Sequence, residues 1–206
     1  MQVLRPLLDA QGASGYLPWT EGAIRPAALV RVVNEIVFAD RREVVELGSG
    51  VSTVVLARLM RERGGRITSL EHDPDWATWV DAQLKLEGLT EVAKLIEAPL
   101  EPTELSFDGA PWYATAAVSE LSARGIELLL VDGPPGYGDG MAHSRYPALP
   151  ALASRLAPGC LVILDDADRD PEREIVERWS NECDGWEFGL DTDAGIVLGR
   201  RGLASA

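Results

Sequence analysis

The 206-residue chain is poor in cysteine, in histidine and in positive charge, and it has no long apolar run. Its two cysteines, Cys160 and Cys183, supply neither a disulfide framework nor metal-ligand spacing. Both fall in apolar stretches, one strand-like and one on a helix face, and read as small buried hydrophobes. With 19 Lys and Arg against 33 Asp and Glu, the net charge is −14. That excludes the basic surface a phosphate backbone wants and disfavours anionic membranes, so neither nucleic acid nor a membrane is expected as a partner. No run approaches the ~20 apolar residues of a membrane span. Residues 1–13, broken by Arg5 and Asp9, lack the apolar core of a signal peptide. The expectation is a cytoplasmic protein. Its length suits one α/β domain over residues 1–206, with no internal repeat. The oligomeric state is not fixed, and a homodimer stays open.

What the chain does have is the stretch Val44-Val45-Glu46-Leu47-Gly48-Ser49-Gly50-Val51-Ser52-Thr53. A β-branched run ends in an acid, then glycines, then a segment with helical apolar spacing. This is a strand, a turn that needs glycine, and a helix whose first N–H groups lack chain partners. Such a crossover opens the crevice where nucleotides bind in an open α/β sheet. A second strand, Arg66-Ile67-Thr68-Ser69-Leu70-Glu71, also ends in a carboxylate. Glu71 follows Gly50 by 21 positions, close to the roughly 20-residue offset of an acid that accepts both ribose hydroxyls. The turn lacks the Lys-Ser/Thr of a P-loop, and Thr53 stands where G-x-G-x-x-G has its third glycine. With Glu46 just before it, the turn would repel a pyrophosphate and suits a ligand carrying an ammonium or sulfonium charge.

In chain order, residues 1–21 hold Gly12, Gly15, Pro18 and the isolated aromatics Tyr16 and Trp19, and read as a loop or lid. Trp19 fits core filler or cavity wall equally well. A helix opening near Pro26 carries Leu29, Val32, Val33, Ile36 and Val37 on one face. The strand at about 43–47 leads into a helix closed by Gly64-Gly65. The strand at 66–70 leads through Asp73-Pro74 into a helix to about Leu86. A short strand (92–96), a proline-rich loop (99–112, a candidate substrate wall), a helix (113–123) and an apolar strand (126–131) follow. After a second long loop (133–145) come a helix to Leu156, a strand (160–164), a helix opening at Asp170-Pro171, and a hairpin around Asp191-Thr192-Asp193-Ala194. The alternation predicts an α/β fold, a mostly parallel sheet with helices on both faces. The parallel strands then gather Glu46, Glu71, Glu97, Asp132, Asp165 and Asp166 at one sheet edge.

The motifs resemble a known family. Glu46-Leu47-Gly48-Ser49-Gly50 with Ser52-Thr53, then Glu71-His72-Asp73-Pro74, is similar to motifs I and II of class I S-adenosylmethionine-dependent methyltransferases. The resemblance continues through Leu128-Leu129-Leu130-Val131-Asp132-Gly133-Pro134-Pro135-Gly136 and Pro158 to Asp166. It is closest to a small bacterial branch whose fourth strand ends in Val-Asp-Gly-Pro-Pro-Gly. It implies a Rossmann-like seven-stranded sheet with a C-terminal antiparallel hairpin and a last strand that is antiparallel. It also implies that Gly48, Ser49 and Gly50 pack on the amino-acid part of S-adenosylmethionine, with Ser52 and Thr53 completing the motif. Glu71 would hold the ribose, His72 and Ala98 would border the adenine, and Glu46 would face the ammonium directly or through water.

Asp132 with Asp165-Asp166 resembles the metal triad of magnesium-dependent O-methyltransferases. Hard oxygen ligands suit Mg²⁺, which would lower the pKa of a substrate hydroxyl. The Gly-Pro-Pro-Gly after Asp132 departs from the catechol type. A second reading stays open, in which Asp132 touches cofactor or substrate without metal and Asp165-Asp166-Ala167-Asp168 caps the next segment. His143, in a loop after a strand of the catalytic edge, is a candidate general base alongside Asp132 and Asp166. Arg145 would bind an acidic substrate or pair with the acidic surface, and Trp112 and Tyr113 would line an acceptor pocket. The expected activity is methyl transfer to a small-molecule acceptor, most readily an oxygen. The alternatives are an NAD-type oxidoreductase and a protein that binds S-adenosylmethionine without catalysis.

Overall fold

Nine strands and seven α-helices make up a computed structural model that describes residues 4–8, 17–20, 22–122 and 125–202. The chain runs α1 (Arg5–Leu8), α2 (Pro26–Phe38), β1 (Glu43–Leu47), α3 (Val51–Arg63), β2 (Arg66–Glu71), α4 (Pro74–Leu86) and β3 (Ala93–Glu97). It continues through β4 (Leu100–Glu101), β5 (Trp112–Tyr113), α5 (Thr115–Ser119), β6 (Ile126–Val131), α6 (Ala148–Leu152), β7 (Leu156–Leu164), α7 (Asp170–Glu182), β8 (Trp186–Asp191) and β9 (Ile196–Arg201). Seven strands form one sheet in the order β3-β2-β1-β6-β7-β9-β8, while β4 and β5 pair separately. β9 pairs antiparallel with both β7 and β8; the other pairings of the large sheet are parallel. The expected Rossmann-like sheet with its antiparallel C-terminal hairpin is therefore present.

Alternation along each central strand divides the core. Val44, Leu128, Leu130, Leu161 and Ile163 face α2, α3 and α4. Val45, Leu129, Val131, Val162 and Leu164 face α5, α6 and α7. α3 is buried along Val51–Met60, which includes Arg58 paired with Glu87 at 2.7 Å. Burying that guanidinium requires a partner of this kind, since an unpaired buried charge is costly. Among the described residues no helix is long and apolar enough to cross a membrane.

Several local expectations are corrected. Leu4 and Leu7 of α1 are core residues, so part of the expected N-terminal lid packs inside; residues 9–16, with Tyr16, lie outside the described residues. Trp19 packs against the same core and donates from Nε1 to the Ile24 carbonyl at 3.0 Å. The 99–112 loop contains all of β4 and the first residue of β5, and turns Phe107 and Trp112 into the second core. Cys160 is buried, and burial pushes its thiol up to about 12, while Cys183 is half-buried at the end of α7.

The sheet's carboxyl edge depends on two glycine turns in contact. Gly48 follows β1 with φ of +87°, and a Cβ there would stand 2.9 Å from the Gly133 nitrogen that follows β6. A Cβ on Gly133 would meet Gly48 Cα at 2.8 Å and the Tyr113 hydroxyl at 2.6 Å. Both are backbone-to-backbone approaches that only a missing side chain permits. Gly133→Ala is expected to cost roughly 1–3 kcal/mol, because rigid backbone must move. The urea midpoint reads this, and an unchanged midpoint would show that the two turns separate freely.

Candidate functional site

The ends of β1, β2, β6 and β7 surround a cavity of about 700 Å³. One wall is Gly48, Ser49, Gly50 and Ser52, and the next is Glu71, His72, Asp73 and Trp76. Asp132, Gly133, Pro135, Tyr137 and Arg145 form the third, with Asp166 and Arg169 beyond them, and residues 20 and 22–24 close the rim. The volume is that of a small-molecule site.

Glu71 ties the first two walls together. Its Oε2 accepts from the Ser49 amide at 2.9 Å and the Ser49 hydroxyl at 2.8 Å, and its Oε1 accepts from the Asp73 amide at 2.9 Å. His72 Nδ1 lies 3.0 Å from Oε1. Burial acts to raise the Glu71 carboxyl, but these four partners outweigh it and hold the group below its ordinary value. The same contact raises the His72 imidazole. Trp76 stands in the first turn of α4, after the Asp73 N-cap, and donates from Nε1 to the Ser49 carbonyl at 2.8 Å. It was not singled out from the sequence, although an aromatic just inside a helix that opens at the sheet edge is a readable signal.

Glu46 is placed differently from expectation. It is fully buried beneath the turn and does not line the cavity. Its Oε2 accepts from the Thr53 and Ser69 hydroxyls, each at 2.5 Å, and Thr53 Oγ1 in turn accepts from the Gly50 amide at 2.9 Å. Among the described residues, Oε1 has no hydrogen-bond partner. Burial pushes the Glu46 carboxyl up to about 7 against the pull of neighbouring hydroxyls. Thr53 therefore supports the turn from below rather than lining the cavity. Ala98 is likewise buried off the wall, its amide donating to the Glu71 carbonyl at 2.6 Å.

The second constellation assembles as expected, with company the sequence did not reveal. One ligand-type oxygen from each of Asp132, Asp165 and Asp166 lies within 4.8 Å of the others. Among them sits the Arg145 guanidinium, with its side chain only 4% exposed. Burial, then the neighbouring carboxylate of Asp165, holds Asp132 well above the ordinary carboxylate range, and burial takes Asp165 up to about 6. Asp165 itself is buried behind the cavity wall, and among the described residues its Oδ1 has no partner. Arg145 is thus neither a surface residue nor free to bind an acidic substrate.

Three further expectations do not hold geometrically. His143 is outside the cavity lining, with Nδ1 2.6 Å from Asp108 and Nε2 2.8 Å from Glu174. Both ring nitrogens are engaged by carboxylates, so neither is turned to a reacting group. Trp112 and Tyr113 are buried rather than lining the pocket, and among the described residues the Tyr113 hydroxyl has no partner.

The raised Glu46 carboxyl makes a pH prediction for the ligand-free protein. A carboxyl that binds its proton more tightly when folded contributes stability below its unfolded pKa, near 4.5, and loses it as pH rises through about 7. Relative to Glu46→Gln, the wild type should lose about 2–3 kcal/mol between pH 5 and pH 8. Parallel stability curves for the two proteins across that range would contradict the assignment.

The sequence pattern of the methyltransferase domain matches residues 45–167. A comparison with curated protein sequences finds no match. Among solved structures, the chain is similar to an O-methyltransferase from Bacillus cereus in complex with SAH, at 18% identity, TM-score 0.61, covering 98% of this chain and 91% of that one. It is similar to an SAH-bound Podospora anserina methyltransferase at 15% identity and TM-score 0.66, covering 98% and 88%. A Geobacter sulfurreducens methyltransferase matches at 18% identity and TM-score 0.59, covering 87% and 81%. At these identities the structural likenesses carry the fold, while the sequence pattern spans more than half of the chain. The chain belongs to the methyltransferase-domain family.

Proposed function

We propose that this methyltransferase moves the methyl group of S-adenosylmethionine to an oxygen of a small-molecule acceptor. The observation that carries the reading is Glu71, a carboxylate at the end of β2, set in the cavity wall and bonded across to the glycine turn of β1. The O-methyltransferase among the similar structures supports an oxygen as the atom attacked. S-adenosylmethionine, when bound, supplies a methyl group on a positively charged sulfur, and an acidic cavity edge suits that charge.

The residues present fit such a ligand. A carboxylate offers about four lone-pair directions. Glu71 spends three of them on Ser49 and Asp73, and the fourth faces His72, whose side chain is 31% exposed and is the group a ribose diol would displace. Trp76 presents indole surface at the same wall. Glu46 lies behind the turn, where a bound ammonium would draw its carboxyl back towards the ionised form.

Asp132 is the proton acceptor in this reading. It lines the cavity, and burial with the neighbouring Asp165 carboxylate gives it a greater proton affinity than an ordinary carboxylate has. Holding acceptor and methyl in line contributes the remainder, since positioning is worth several kcal/mol in such displacements.

Two variants test the proposal. Glu71→Ala should weaken S-adenosylhomocysteine binding by one to two orders of magnitude in calorimetry, the loss of hydrogen bonds to a charged group. Unchanged affinity would remove Glu71 from the cofactor site. Asp132→Asn should lower kcat by about 10²- to 10⁴-fold with S-adenosylhomocysteine affinity kept within a few-fold. Turnover near the wild-type rate would remove Asp132 as the base.

A further inference from the structure

The carboxylates at the ends of β6 and β7 are the expected ligands of a divalent cation, and the arginines around them decide against one. Arg145 directs five hydrogen bonds into and around this cluster. Its Nη2 donates to the Asp132 carbonyl at 2.6 Å and approaches Asp132 Oδ1 at 3.5 Å. Its Nη1 donates to the Asp165 carbonyl at 3.2 Å and to Asp166 Oδ2 at 3.1 Å, and its Nε donates to the Pro134 carbonyl at 3.1 Å. A guanidinium has five N–H donors, and each has an acceptor here. Glu172, fully buried in the first turn of α7, lies 3.5 Å from the same Nη1.

Asp166 meets two further cations. Arg169 Nη2 is 3.2 Å from Asp166 Oδ2, and Arg25 Nη2 is 3.6 Å from Asp166 Oδ1. One of the three would-be metal ligands is therefore shared among three guanidinium groups. The charge of the cluster is set by four carboxylates (Asp132, Asp165, Asp166 and Glu172) against three arginines, before any metal is added. Mg²⁺ demands close octahedral oxygen contacts and gives up its waters reluctantly. To enter, it would have to expel a buried, fully bonded cation and sit beside two more.

We propose that Arg145 is the built-in cation of this cavity, occupying the position a divalent metal would take, and that the Asp132, Asp165 and Asp166 cluster binds no metal. Arg145 is then a positioning residue. It holds the backbone and carboxylate of Asp132 on one side and Asp166 on the other, fixing the distance between the ends of β6 and β7. A lysine could not do this, because its ammonium has three donors and no planar fork. The inference is independent of the methyl-transfer reading, because it concerns occupancy of the cluster and needs no turnover to test.

The test is an electron paramagnetic resonance titration with Mn²⁺ alone, in which bound ion is lost from the sharp signal of free Mn²⁺. Wild-type protein is expected to leave that signal undiminished through the low-millimolar range, and its melting temperature in MgCl₂ is expected to match that in EDTA. Saturable Mn²⁺ binding by the wild type that is lost in Asp166→Ala would overturn the proposal. Arg145→Met, which removes the guanidinium and keeps much of its volume, is expected to gain Mn²⁺ binding. A folded Arg145→Met that binds none would overturn the role given to the arginine. If that variant does not fold, the wild type and Asp166→Ala still decide whether the cluster takes metal.

Discussion

Everything at the active edge depends on the contact between two glycine turns, one after β1 and one after β6. Gly48 and Gly133 approach so closely that a methyl group on either would strike backbone of the other. The contact brings the β1 turn, with Ser49 and Gly50, beside Asp132, and it leaves room above for a ligand. Neighbouring groups then lock each turn in place. Glu71 bonds Ser49 from the β2 side, Glu46 supports Thr53 from below, and Arg145 grips the carbonyls of Asp132 and Pro134 on the β6 side. The cavity is therefore a consequence of where the strands end, rather than of a loop folding over it.

Charge is distributed unevenly around that edge. On the β1 and β2 side no arginine among the described residues pairs with Glu46 or Glu71, and Glu46 meets its burial by taking up a proton near neutral pH. The β6 and β7 side is equally rich in carboxylates but is interleaved with Arg25, Arg145 and Arg169. The first arrangement suits a positively charged ligand; the second is closed on itself. Under the proposed function, this difference separates the end of the cavity assigned to the cofactor from the floor around Asp132.

Much of the fold was legible in the sequence. Strand ends carrying Glu46, Glu71 and Asp132 follow short apolar runs, and helix starts are marked by Asp73-Pro74 and Asp170-Pro171, so element type and order followed from local chemistry. The resemblance implied seven strands with the last antiparallel but no strand order was read, because parallel pairing partners leave no trace in periodicity. The α5 region was read too long and β7 too short, since β7 begins at Leu156 before its turn to the apolar Cys160–Leu164 segment. For the site, glycines and strand-end acids were found because topology alone converges them. His143 and Ala98 lie off the cavity wall, because the path of a long loop and the side to which a strand end turns are set by tertiary packing. Arg145 was recognised only as a nearby cation. Its burial depends on Asp132, Asp166 and Glu172 meeting it from three separate segments, which no local pattern encodes.

The central claim is that the edge built on the two glycine turns holds S-adenosylmethionine. Thermal unfolding in the presence of S-adenosylmethionine, S-adenosylhomocysteine and NAD, each alone, tests it most directly, because a ligand that binds only the folded state raises the midpoint by mass action. The account predicts a rise of several degrees with the first two and none with NAD. A rise with NAD alone, or no rise with either adenosyl ligand at saturating concentration, would contradict it.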